Sequence, residues 1–131
     1  MKVLTIKEPW ASLIGMHIKT IETRSWRTNY RGELFIHAGS SKIPKTENYL
    51  NGVKLLGLSP MHQGTIFCKC NLTDCVKITD AFLHDLVYAN SPNLLCGDYT
   101  LGRYAWILSD IQYLNPPIPA KGKLGIWTID F

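Results

Sequence analysis

No apolar run in this chain approaches the roughly eighteen residues that a membrane-crossing helix needs, so no membrane-spanning segment is expected. There is no G-x-x-x-x-G-K-[ST] loop and no G-x-G-x-x-G after a strand, which argues against triphosphate hydrolysis and dinucleotide redox chemistry. Paired C-x-x-C knuckles are missing too. Cys68, Cys70, Cys75 and Cys96 fall at C-x-C-x4-C-x20-C, which is poor zinc spacing, and buried free thiols are the expectation; no metal and no cofactor is implied. Met1 to Lys7 alternates and has no signal-peptide core, so a cytoplasmic location is expected. Charge is sparse, at 18% of 131 residues, and its distribution is uneven. Residues 1–45 carry eight basic residues against Glu8, Glu22 and Glu33, while the rest carries six against seven acidic ones. A basic amino-terminal third is compatible with phosphate-bearing partners and equally with a solvated surface.

With 46% hydrophobic residues and no repeat or low-complexity tract, the chain is expected to form one domain over 1–131. Residues 2–7 alternate as a strand. Pro9 suits the first turn of a short helix whose buried stripe is Trp10, Leu13 and Ile14. Residues 19–26 and 32–38 read as strands, the latter with Leu34, Ile36 and Ala38 facing the core. A loop over 39–44 precedes a helix capped by Thr46 and running to Leu56. Residues 64–78 form a long strand bent near Thr73 and Asp74, then a helix follows from Thr79 or Asp80. Residues 91–102 read as an irregular loop. Arg103 to Leu114 and Leu124 to Phe131 are the last strands, separated by Pro116, Pro117 and Pro119. Six strands and about three short helices, not in βαβ series, predict an α+β mixed or antiparallel barrel.

The segment 19–31, KTIETRSWRTNYR, concentrates the candidate chemistry. A strand's period of two puts Thr20, Glu22, Arg24 and Trp26 on one face and turns Thr23 away. Glu22 and Arg24 can pair structurally, meet a ligand, or catalyse. Lys19 stands at the strand's entry, where strict alternation aims it away from Glu22. Trp26 and Tyr30 offer rings for base stacking, or simply packing. Arg31 can reach a phosphate or sit at the surface. His37 should leave the core face, as an acid–base group or a hydrogen-bonded structural one. Ser40, with Ser41 and Lys42, can bind phosphate or form a solvated turn. Trp106 and Trp127 lie in apolar strands and read as core.

Glu8-Pro9-Trp10-Ala11-Ser12-Leu13-Ile14, Lys19-Thr20-Ile21-Glu22-Thr23-Arg24-Ser25-Trp26, Tyr30-Arg31-Gly32 and Ile36-His37-Ala38-Gly39 together resemble the ASCH domain family. Gly102-Arg103-Tyr104-Ala105-Trp106, Pro117 to Gly122 and Gly125-Ile126-Trp127 extend the resemblance over nearly the whole chain. It implies a PUA-like barrel with a cleft beside the first helix, and RNA or a modified nucleoside as partner. Small members act as amidohydrolases on N4-acetylcytidine, and others as ribonucleases. The amidohydrolase pattern has a Lys, a Thr three positions on and an Arg two beyond. Lys19 and Arg24 match it, but Glu22 stands at the nucleophile's position, and a carboxylate is not activated by deprotonation as a hydroxyl is. A binding module is therefore the leading expectation. Its contacts are Lys19, Glu22, Arg24, Trp26, Tyr30, Arg31, His37 and Ser40, with Glu22 accepting from an exocyclic amine. A hydrolase using Lys19, Glu22 and Arg24 is the alternative.

Overall fold

The computed structural model describes residues 1–42 and 45–130. Chain order is β1 (Lys2–Lys7), α1 (Trp10–Gly15), β2 (Ile21–Arg24), β3 (Gly32–Gly39), α2 (Glu47–Leu56), β4 (Thr65–Lys77) and α3 (Asp80–Tyr88). A short 3-10 helix (Pro92–Leu95), β5 (Tyr104–Pro119) and β6 (Ile126–Thr128) complete it. The strands make one mixed sheet in the order β2-β5-β4-β3-β1-β6. Only the β1–β3 pair is parallel, with Thr5 opposite His37. The expected six strands and three α-helices in an α+β arrangement are present. The loop expected over 39–44 falls partly outside the described residues.

The sheet is strongly curled. Register shifts in the β4–β5 ladder at Ile66/Cys68, Lys69/Asn71 and Leu72/Asp74 bend both long strands, the last where the bend was expected. The curl carries β2, one outer strand, round to β1, next to the other. No ladder joins these two; instead Arg24 Nη2 donates to the Thr5 carbonyl across the gap at 2.9 Å. The expected barrel is therefore not closed: the curled sheet stays open at this seam, which one side-chain hydrogen bond spans. β6 covers only Lys2, Val3 and Leu4 of β1, so Thr5–Lys7 faces the gap without a partner strand from β6.

β2 covers only Ile21–Arg24 of the expected 19–26, the stretch that ladders with β5, and β6 only Ile126–Thr128 of the expected Leu124 to Phe131, whose last residue lies outside the described ones. Two further details differ from the sequence expectation. β5 does not stop at Leu114 but continues through Pro116 and Pro117 to Pro119. Its outer edge there is beyond the reach of β2, which pairs only with Tyr104 to Ile107, so missing N–H groups cost no ladder bonds on that side. Within 91–102, Ser91 caps the 3-10 helix by accepting from Asn93 N–H.

Both faces of β1 and β3 are buried. Leu4, Ile6, Leu34, Ile36 and Ala38 pack with Ala11 and Ile14 of α1, Phe67 and Trp106. Val3, Phe35, Ile66 and Trp127 form a second cluster on the opposite face. α1 is held at its start by Glu8, fully buried, which accepts from Ser12 N–H at 2.8 Å, from Ser12 Oγ and from His62 N–H at 2.7 Å. α1 and α2 cross closely at Gly52, where a Cβ would lie 2.8 Å from Pro9 Cγ.

Candidate nucleotide cleft

The seam between β1 and β2 opens into a cavity of about 570 Å³. Thr5, Ile6 and Lys7 form one wall, and Glu22, Thr23 and Arg24 the other. Trp10 and Lys19 come from α1 and the turn after it. Gly39, Ser41, Thr46 and Asn48 come from the end of β3 and the start of α2. Cys96, Gly97, Asp98 and Arg103 lie before β5, and Lys123, Leu124 and Gly125 before β6.

At the inner end lies a compact charge constellation. Lys19 is 1% exposed and Glu22 7%. Lys19 Nζ sits 3.3 Å from Glu22 Oε1 and also donates to the Ile21 carbonyl. Arg24 Nε and Nη2 both lie 3.0 Å from Glu22 Oε2. Glu22 and Arg24 share a face because they are two residues apart in β2. Lys19 reaches the same point by another route. His17, at φ 63°, turns the chain after α1, and Ile18 and Lys19 N–H both donate to the Leu13 carbonyl at 3.1 Å. This loop geometry, not strand alternation, aims the amine at Glu22.

The start of β2 is fixed from far away in sequence. Buried Asn93 accepts from Thr20 N–H at 2.8 Å and Ile21 N–H at 3.1 Å, while its Nδ2 donates to Thr20 Oγ1 and Ser91 Oγ. Asp98 and Arg103 form a second charged pair at 3.6 Å, and Arg103 Nη2 also donates to the Thr23 carbonyl. Hydrogen bonds from Thr100, with the charge of Arg103 adding less, hold the Asp98 carboxyl below its usual range against desolvation. Burial pushes the Cys96 thiol up, partly offset by Lys19. The Trp10 indole N–H is buried and has no hydrogen-bond partner among the described residues.

Of the eight expected site residues, three line the cleft: Lys19, Glu22 and Arg24. Trp26 packs edge-on against Trp106 at 4.7 Å and its carbonyl accepts from the Trp106 indole. Tyr30 donates its hydroxyl to the Glu33 carbonyl. Arg31 braces its turn through the Thr28 and Tyr30 carbonyls and lies 3.7 Å from Asp74. His37 is 1% exposed, in contact with the Ala120 carbonyl at 2.7 Å and edge-on to Trp127. It leaves the first core cluster, as alternation required, only to be buried beside the second. Ser40 is exposed, between Gly39 and Ser41, which line the cleft while it does not. Thr23 joins the cleft although strand alternation turned it away.

Apart from Gly39, Thr46 and Asn48 at the end of β3 and the start of α2, most cleft residues that sequence reasoning missed fall into two groups. Thr5 to Lys7 ends an evident strand, but nothing local marks its free edge. Cys96 to Arg103 and Lys123 to Gly125 lie in connections whose residues meet β2 only through the fold. Ser91-Pro92 marks a helix start and was the one local signal near Asn93.

Among known proteins, the chain is 28% identical over 129 residues to Activating signal cointegrator 1 of Homo sapiens, and equally to that of Mus musculus. The match takes in 97% of this chain and 22% of each relative, so the chain spans only a small part of their length. A family model for the ASCH domain matches residues 4–117. With its curled six-stranded sheet and a cleft framed by that matched segment, the chain belongs to the ASCH domain family.

Proposed function

We propose that this chain binds RNA or a modified nucleoside in the cleft between β1 and β2, with a base edge directed at Glu22. The observation that carries the reading is the buried Lys19–Glu22–Arg24 constellation at the inner end of the cavity. Glu22 is an acceptor fixed on both sides by cations, and a carboxylate oxygen retains lone pairs for an exocyclic amine. Such a group selects a base that donates, as cytosine does through N4, over one that offers only a carbonyl there. The basic lining favours a phosphate-bearing polymer or its fragments, and the family membership points the same way. Cytidine and N4-acetylcytidine should bind more tightly than uridine by calorimetry, and Glu22→Gln should narrow the gap. Equal affinities for all three would contradict the base-edge role of Glu22.

A hydrolytic reading draws on a different observation. Thr23 lines the cleft one residue beyond the position where the amidohydrolase pattern has its threonine, which makes it the candidate nucleophile of this reading. Release of acetate from N4-acetylcytidine that is lost in Thr23→Val would put catalysis ahead of binding. Both oxygens of Glu22 are engaged with cations, which leaves binding as the better supported role.

A further inference from the structure

We propose that the cleft takes a single phosphate-bearing nucleotide, base inward at Glu22 and phosphate outward at Lys7 and Lys123. This rests on the nucleoside reading and adds the ligand's charge and extent.

The cations differ in exposure: Lys19 is buried, Arg24 and Arg103 are part-exposed to a similar degree, and Lys7 and Lys123 are exposed. Five cations and two carboxylates line the cavity, a large part of the net charge of +4 that the whole chain carries. The two inner cations are already committed: Lys19 to Glu22 and the Ile21 carbonyl, Arg24 to Glu22 and the Thr5 carbonyl. At the rim the balance differs. Lys7 and Lys123 are exposed and form no ion pair among the described residues. Lys123 Nζ lies 5.7 Å from the Trp127 ring centroid, within cation–π range. Arg103 is half-buried and, like Arg24, already engaged, with Asp98 and with the Thr23 carbonyl, so the unpaired charge of the cleft is that of Lys7 and Lys123. The cleft therefore has one carboxylate acceptor inside and surplus donors and positive charge outside. A neutral nucleoside would satisfy the first and leave the second unmatched; a nucleotide matches both.

Extent follows from volume. A cavity of about 570 Å³ is the size that holds one small ligand, whereas single-strand binding folds use grooves that track roughly four or more nucleotides. The shared chemistry is a nucleoside monophosphate unit, free or at the end of a strand.

The test is calorimetry at low salt with cytidine, CMP, a 5′-phosphorylated tetranucleotide and an unphosphorylated mixed RNA. CMP should bind at least about tenfold more tightly than cytidine, as charge-assisted hydrogen bonds to phosphate allow. The ratio should fall toward one in Lys7→Ala/Lys123→Ala. A phosphorylated tetranucleotide that displaces CMP assigns the site to strand ends; displacement by CMP alone assigns it to free mononucleotide, and either supports the single-nucleotide site. Equal binding of cytidine and CMP overturns the phosphate rim and leaves the nucleoside reading standing. So does a CMP preference that survives the double substitution. Unphosphorylated RNA binding far more tightly than CMP overturns the single-nucleotide extent. Failure of all four ligands overturns the nucleoside reading itself.

Discussion

A lysine with 1% exposure is tolerable only because Glu22 lies against it and the Ile21 carbonyl accepts from it. Glu22→Gln leaves that ammonium without a counter-charge, and loss of one partner of a buried pair costs about 3–5 kcal/mol. Urea denaturation should show a loss of that order. Lys19→Met should cost less, since Glu22 keeps Arg24. The double variant should be more stable than the sum of the single losses implies, because the two sites share one interaction. A Glu22→Gln variant as stable as the parent would mean that the amine finds solvent. Glu22 and Arg24 were legible in the sequence because a period of two is a local property. Lys19's aim was not legible from the strand period, since the Leu13 carbonyl and a left-handed His17 set it, and its place in the cleft rested on the turn and the family resemblance. Trp26, Tyr30 and Arg31 carry the residue types of a nucleic-acid surface, yet they are spent on Trp106, the Glu33 carbonyl and the 28–31 turn.

Among the elements, the strands and α-helices were largely legible because alternation, Thr46 and Thr79 caps and turn residues mark them. The extension of β5 through its prolines was not, because only the sheet order shows that β2 ends before it. The same holds for Asn93, whose partners at the start of β2 lie 72 and 73 residues away. Asn93→Ala removes the acceptor of two backbone N–H groups, and a buried unsatisfied donor costs about 1–3 kcal/mol. The variant should lose stability in that range, and amide exchange at Thr20 and Ile21 should quicken while β3 stays protected. Unchanged exchange at those two amides would show that Asn93 does not pin β2. Gly52 is the counterpart on the helical side. Ala would gain about 1 kcal/mol of helix propensity, but its Cβ would press on Pro9, and overpacking costs about 1–3 kcal/mol. A net loss in melting temperature is expected for Gly52→Ala.

Across the whole molecule, the thiols report how the curled sheet closes over its core. Cys68, Cys70 and Cys96 are buried, and Cys75 is half-buried. A thiol reagent should modify Cys75 first in the native protein and all four after denaturation. Burial pushes the Cys70 thiol up to about 12 and raises Cys68 further. An unfolded thiol ionises near about 8.5. The folded state therefore holds its protons over a range where the unfolded chain releases them. This contribution to stability is complete below the unfolded value and is lost as pH rises toward the folded one. Denaturant midpoints should be level to about pH 8 and decline above it, less steeply in Cys70→Ala. The curl that buries these thiols also brings β2 to β1 and leaves the seam where Lys19, Glu22 and Arg24 meet Thr5. The cleft's existence was expected from family resemblance, but its walls follow from the sheet order, in which the outer strand β2 meets β1. Backbone NMR titration with cytidine monophosphate tests this most directly. Shifts should concentrate at Thr5 to Lys7, Thr20 to Arg24 and Cys96 to Asp98, and be absent at Glu33, Lys69 and Asn71 on the smaller second cavity. Shifts centred on Trp26, Tyr30 and Arg31, or on the second cavity, with β1 and β2 silent, would contradict the assignment of the seam as the binding site.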